Sequence, residues 1–349
     1  MVVDAFCHIY PVQYIDELKK RCNNLLFDKN SETGYVRLRS KGDGFWVGGS
    51  FKEDSHFTNP QDRFIHMAKY GVDVQVLSMA PPGTQPYALA TDQDNVVAIA
   101  KVANDSISRI VERYPDKFVG VAEVPVLSQA EAIDEVERAA NDLGLKALQL
   151  YTQTGGISLD SPLYDPIYER ASKYRMPILV HPAILPQGVY RKYETDFSLY
   201  AIYGMPYETS LALSRAVFSG VLDRFPNLVF ISHHLGGMIP YFAGRIIATE
   251  GQERQVSRKS GFELKRPTIE YFKLMYHDTA VSGHAPALEC GYSFFGPDHI
   301  VFSTDYPFGH EHGEYQLREN LNAVKGLRVP EEDKQKILDL NARKLFNIA

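Results

Sequence analysis

Eight short apolar runs recur along the 349-residue chain: "VVDAFC" (2–7), "VDVQVLSM" (72–79), "FVGVAEV" (118–124), "KALQLY" (146–151), "PILVH" (177–181), "LVFISH" (228–233), "FKLMYHD" (272–278) and "HIVFSTD" (299–305). Most are apolar throughout rather than alternating, the pattern of strands covered on both faces. Between them lie "NVVAIAKVANDSISRIVERYP" (95–115), "QAEAIDEVERAANDLG" (129–144), "PLYDPIYERASKY" (162–174) and "SLALSRAVFSGVLDRFP" (210–226), whose apolar residues return at helical spacing and several of which stop at Gly or Pro. This alternation predicts the α/β class and a parallel sheet closed into a distorted (β/α)8 TIM barrel. An open doubly wound sheet fits less well, because no Gly-x-Gly-x-x-Gly follows the first strand.

Residues 10–66 break the rhythm with a helix-like "VQYIDELKKRCNN" and then "GYVRLRSKGDGFWVGGSFK", which reads as a small hairpin or sheet. They are expected to form an insertion after the first strand that covers the C-terminal mouth as a lid. Neither a repeat nor a low-complexity linker is visible, so residues 1–349 are expected to form one barrel domain.

Composition narrows the setting. With 37 Lys+Arg against 43 Asp+Glu and a formal charge of -6, no general attraction for nucleic acid or an anionic membrane is expected. No apolar run approaches the roughly 20 residues that span a bilayer. The start "MVVDAFCHIY" is unlike a signal peptide, and Cys7, Cys22 and Cys290 form no CxxC pair, so a reducing, cytoplasmic location is expected.

Barrel chemistry sits at the C-terminal ends of the strands. Here His8 follows the first run, His181 ends the fifth, His233 and His234 the sixth, Asp278 the seventh and Asp305 the eighth. Taken singly, each is more readily a hydrogen-bonded structural residue than a ligand; converging on one mouth, they can hold a divalent ion and leave a coordination position open. In "HHLGGMIP" (233–240) the glycines either let backbone and ligand approach closely or only relieve a turn.

"IYP" after His8, "VHP" at 180–182, "YGMPYETSLAL" at 203–213, "SGVLDRFPNLVFISHHLGGMIPYFAGR" at 219–245 and "FSTDYPFG" at 302–309, with "VDVQVLSMAP" and "KFVGVAEVP", span nearly the whole chain. Together they resemble the amidohydrolase-related family of aminocarboxymuconate-semialdehyde decarboxylase, whose relatives include γ-resorcylate, dihydroxybenzoate and carboxyvanillate decarboxylases as well as hydratases and C–C hydrolases. The resemblance implies a distorted barrel with one divalent metal, zinc first and manganese, magnesium or iron as alternatives. It carries the family's metal positions onto Phe6, His8, His181 and Asp305, and its catalytic histidine onto His234; a shift of one residue would exchange His234 with His233. It implies substrate contacts from Arg245, in some relatives from the partner subunit, and from a basic residue of the insertion, for which Lys52 is the nearest match and Arg37, Arg39 and Arg63 are rivals. Trp46 and Tyr203 are candidate pocket walls, and a homodimer is expected.

The departure is Phe6, where relatives carry His or Glu; a phenyl ring has no lone pair. Three outcomes stay open: a site of His8, His181 and Asp305, with or without His234; recruitment of Cys7 or Asp4; or loss of the metal. Along a strand Cys7 should point away from Phe6 and His8. The expected activity is non-oxidative decarboxylation of a hydroxylated aromatic or unsaturated dicarboxylic acid, with Asp305 handling a proton and His234 hydrogen-bonding a metal-bound water or the substrate. The alternatives are a hydrolase or hydratase of a ring-cleavage product at the same site, and a metal-free binding protein on the same barrel.

Overall fold

The structure, a computed structural model, describes residues 1–41, 46–184, 196–259 and 263–349. Eight parallel strands form one sheet in the order β1 (Val3–Ile9), β5 (Val74–Met79), β6 (Phe118–Glu123), β7 (Ala147–Tyr151), β10 (Ile178–His181), β11 (Phe230–Ser232), β12 (Tyr276–Asp278) and β13 (Ile300–Val301). Closure is made by the chain beyond β13: Ala5 N–H donates to the Phe302 carbonyl (2.8 Å) and His8 N–H to the Tyr306 carbonyl (2.7 Å). The result is the predicted (β/α)8 barrel. A two-residue pair, β8 (Gln153–Thr154) and β9 (Ile157–Ser158), lies outside it.

Side-chain alternation divides the core in two. Val3, Ala5, Val74, Val76, Val121, Ala147, Leu179, Ile231, Tyr276 and Val301 fill the barrel interior, while Leu77, Ala122, Leu148, Val180 and Phe230 pack outward with Ile99, Val136, Ile167 and Ala216 of the surrounding helices. Two residues on from the inner layer, the same alternation delivers Glu123, Gln149, His181, His233 and Asp278 to the C-terminal mouth, with Tyr151 a further two residues along its strand. Strand β1 obeys this rule only after a correction. Its register against β5 slips between Asp4 and Cys7, so Ala5 and Phe6 both face inward and Cys7 joins the outer core.

The seventh and eighth runs are the least accurately foreseen. Helix Thr268–Leu274 absorbs the first three residues of "FKLMYHD", leaving a three-residue β12, and "HIVFSTD" narrows to two residues of β13. Apolar residues there pack a helix against the barrel as readily as they form a strand, and a short run does not distinguish the two.

The insertion forms a helix, Val12–Arg21, and an antiparallel sheet of β2 (Leu25–Lys29), β3 (Tyr35–Ser40) and β4 (Trp46–Lys52); residues 42–45 of the expected hairpin lie outside the described residues. Strand β4 reaches the mouth at Gly49, where a Cβ would stand 2.2 Å from Cε1 of Phe308. Only glycine lets this backbone lie so close to the loop after β13. Tyr10 packs against Phe51 with ring centroids 4.6 Å apart and donates its hydroxyl to the Pro81 carbonyl (2.6 Å), fastening the same sheet beside β5. No helix of the described residues is long and apolar enough to cross a membrane.

Candidate metal centre

Three imidazoles meet at the floor of the mouth: ring centroids of His8 and His181 are 5.0 Å apart, His181 and His233 5.5 Å, and His8 and His233 5.9 Å. Each can bring a nitrogen within 4.8 Å of the others'. Each also has its other nitrogen engaged. Ser78 Oγ spends its proton on the Cys7 carbonyl (3.0 Å), so it accepts from His8 Nδ1 (3.0 Å), with the Met79 carbonyl at 3.3 Å. His181 Nδ1 donates to the Pro182 carbonyl (2.7 Å), and His233 Nδ1 pairs with Asp278. Engaging Nδ1 in this way leaves Nε2 with its lone pair directed into the cavity, the arrangement by which ligating histidines are oriented.

Asp305 completes the cluster from a backbone with φ 61°, a left-handed conformation that costs a non-glycine residue about 1 kcal/mol or more. Its Oδ1 lies 3.2 Å from His8 Nε2 and 3.4 Å from His233 Nε2, yet both nitrogens are buried without an aligned hydrogen bond. Orphaned buried nitrogens are uncommon. Two of them converging on one carboxylate oxygen, with a third imidazole in reach, fit a divalent cation, whose donor set would be nitrogen and carboxylate.

Without an ion in the site, the electrostatics divide the three rings. Burial drives His8 and His181 toward the neutral form, and in His181 the neighbouring His8 and His233 add to the effect. Burial also opposes charge on His233, but Asp278 and Asp305 outweigh it and push the ring up to about 10. Burial disfavours the Asp305 carboxylate too, yet His233 and His8 hold it well below the usual range. His234, half-buried beside His233 at a centroid distance of 4.0 Å, is pushed down to about 4 by desolvation and by the neighbouring His233.

Of the expected site residues, His8 and His181 come together with His233, Asp305 lies against His8 and His233, and His234 stands within reach of His233 and Asp305. The recruited alternatives do not join them. Cys7 Sγ donates to the Asp4 carbonyl (3.6 Å) in the outer core, and both Asp4 oxygens accept from Thr304, at 3.0 Å from its N–H and 2.6 Å from its hydroxyl. Asp4 thereby pins β1 to the loop carrying Asp305, and burial pushes its carboxyl up to about 6.

Lys52 and Arg245 are exposed and Trp46 half-buried; among the described residues no hydrogen bond, ion pair or ring contact joins them to the histidines. Arg63 is wholly buried and belongs to the scaffold: it donates to the carbonyls of His8 and His56 (the latter at 2.9 Å) and to Gln75 Oε1 (3.3 Å). Sequence reasoning passed over two groups. One is Asp278 as the partner of His233. The other is Glu123, which accepts from Thr84 Oγ1 (2.7 Å), Gln149 Nε2 (2.6 Å) and Tyr151 Oη (3.0 Å) beside His181, and which burial pushes up to about 7. A lone acid inside an otherwise apolar strand was its signal.

The chain matches the amidohydrolase family over residues 3–348. It is 30% identical to γ-resorcylate decarboxylase of Rhizobium radiobacter over 321 residues, covering 87% of this chain and 93% of that one. To 2-amino-3-carboxymuconate-6-semialdehyde decarboxylase of Dictyostelium discoideum it is 28% identical over 312 residues, 86% of this chain and 80% of the relative. The fold superposes on 5-carboxyvanillate decarboxylase of Novosphingobium aromaticivorans, a structure with bound manganese and a nitrobenzoic acid, with a TM-score of 0.82 at 22% identity, covering 100% and 97% of the two chains. The chain therefore belongs to the amidohydrolase family, among relatives that include γ-resorcylate and aminocarboxymuconate-semialdehyde decarboxylases.

Proposed function

We infer that the protein is a metal-dependent carboxy-lyase that removes CO2 without oxidation from a hydroxylated aromatic or unsaturated dicarboxylic acid. The observation that carries this reading is the pair of buried, unpartnered imidazole nitrogens facing Asp305, set in a chain whose relatives include several decarboxylases and a 2-keto-4-carboxy-3-hexenedioate hydratase. His8, His181 and Asp305 would hold the ion, with zinc or manganese foremost. When bound, the ion supplies Lewis acidity and a template for a substrate oxygen.

The remaining work falls to the chain. When the carboxyl group leaves, the electron pair of its C–C bond stays on the substrate carbon, and a proton must take the vacated place. Asp305 is the proposed proton carrier, because its second oxygen is free of the two histidine contacts, which both fall on Oδ1. His234, neutral and half-buried at the edge of the cluster, hydrogen-bonds the substrate. Phe6, its ring 4.3 to 6.0 Å from His233, His8 and His181, walls the floor with apolar surface and keeps water from the developing charge.

We place Lys52 and Trp46 on a lid formed by residues 10–66 of a single domain, where Lys52 would meet a substrate carboxylate. Arg245 would serve across a homodimer. Supporting that assembly, apolar side chains are exposed on helix Ile239–Lys259, which carries Arg245 (Tyr241, Phe242 and Ile247), and on helix Met205–Phe218 and the turn before it (Tyr203, Tyr207 and Leu211). Zinc or manganese as the ion and the cytoplasm as location complete the proposal.

A screen of hydroxylated aromatic carboxylic acids, run with elemental analysis of the purified protein, tests it. About one equivalent of divalent metal and CO2 release without incorporation of solvent oxygen are expected. Less than about a tenth of an equivalent, with ligand binding unchanged in His181→Ala and Asp305→Ala, would sink it.

A further inference from the structure

We propose that His233 is a metal ligand of this protein, supplying from β11 the donor that Phe6 removes from β1. The proposal rests on the metalloenzyme reading above and changes its ligand set from three residues to four.

Three observations carry it. The first is the strand period. Ile231 faces the barrel interior, so His233, two residues on, faces the mouth, whereas His234 lies past the strand end with φ 54°. The second is orientation. Asp278 holds His233 Nδ1 and is itself fixed by the backbone N–H groups of Leu235 (3.2 Å) and Ala280 (3.1 Å), so Nε2 is presented to the cavity by a carboxylate–histidine pair of the kind that tunes metal ligands.

The third is distance. Donors held roughly 2.0–2.2 Å from a tetrahedral ion stand about 3.4 Å from one another. His8 Nε2 and His233 Nε2 lie 3.2 and 3.4 Å from the same Asp305 oxygen, and the donors of His8, His181 and His233 fall within one 4.8 Å group. His234 and Asp305 both group with His233 rather than with His8 and His181; what sets Asp305 apart from His234 is its Oδ1 contact with His8 Nε2 at 3.2 Å.

Phe6 and His233 touch, with ring centroids 4.3 Å apart, which is why a donor from one side can stand in for a donor from the other. The inward place on β1 that relatives give to His or Glu is filled here by a phenyl ring packed under the imidazole. Phe6 thus supports the substitute for the ligand it displaced. A site rebuilt in this way keeps three nitrogens and one carboxylate oxygen.

The test is metal affinity, read by competition with a chelator at fixed pH on manganese- or zinc-loaded protein, with circular dichroism checking that each variant folds. His233→Ala should weaken binding by about 100-fold or more, and His234→Ala by less than about threefold. Asp278→Asn should weaken it by about 10- to 100-fold. In the His233→Ala background, Phe6→His should restore affinity to within about tenfold of the original.

X-ray absorption at the metal edge of the unaltered protein reads the same question without a variant: three imidazole donors support the proposal and two overturn it. If His181→Ala loses the metal while His233→Ala keeps it, the proposal fails and the metalloenzyme reading stands. If the unaltered protein takes up no metal, both fail.

Discussion

On the floor of the barrel mouth, His8, His181 and His233 each have one ring nitrogen held by a neighbour and the other aimed at a common centre. Of the residues proposed for the rim, Lys52 and Arg245 are exposed and Trp46 is half-buried, and among the described residues no hydrogen bond, ion pair or ring contact joins them to those histidines. The floor is preorganised by strands whose inner faces are fixed by packing, whereas the rim is organised only by what binds there. Chemistry common to many substrates can be built into the first; discrimination among substrates belongs to the second.

Four substitutions probe that contrast. The largest effect should follow Asp305→Asn, which keeps shape but removes both the anionic donor and the proposed proton carrier: kcat for CO2 release should fall by about a thousandfold or more, while far-ultraviolet dichroism stays unchanged. Were kcat to fall less than tenfold, the floor would not be the reacting centre. Next in size, Arg63→Met would strip donors from the buried carbonyls of His8 and His56 and from Gln75. At about 1–3 kcal/mol for each buried acceptor left unpaired, a total loss of about 3–5 kcal/mol in unfolding free energy is expected from urea titration.

Glu123 gives a pH-dependent measurement. Its carboxyl is raised from 4.5 to about 7 in the folded protein because burial penalises the charged form. The folded state therefore binds the proton more tightly than the unfolded state between those values. Stability contributed by this group is greatest below about pH 4.5 and falls as pH rises toward 7, by about 3 kcal/mol in all. In metal-free protein, the difference in urea midpoint between the original and Glu123→Gln should change across that window, and a constant difference would show that the carboxyl titrates normally. The smallest stability effect belongs to the rim: Lys52→Ala should alter unfolding free energy by less than about 0.5 kcal/mol, yet raise KM about tenfold if it meets a substrate carboxylate. An unchanged KM would leave the rim without its proposed cation.

The same contrast decides what could be read in advance. Eight strands and their closure were legible because continuous apolar runs have few alternatives once helices separate them. The positions of His8, His181 and Asp305 at the strand ends were legible because each ends or directly follows one of those runs. Family spacing pointed to His234, while counting by twos from Ile231 points to His233; the strand period is the stronger constraint on which ring faces the mouth. The Asp4–Cys7 register slip was not legible, since nothing in "DAFCH" shows two consecutive inward residues, and without it Phe6 and His8 would face the helices. Rim residues were the hardest, because an exposed lysine or arginine has no packing partner to fix its direction.

Arg63 joins the two regions. Its guanidinium holds the carbonyl of His56, on the stretch that returns from the insertion to the barrel, and the carbonyl of His8, on the floor. One rigid planar cation thus ties two stretches of backbone together, and neither carbonyl can leave its place without giving up a hydrogen bond to the same buried guanidinium.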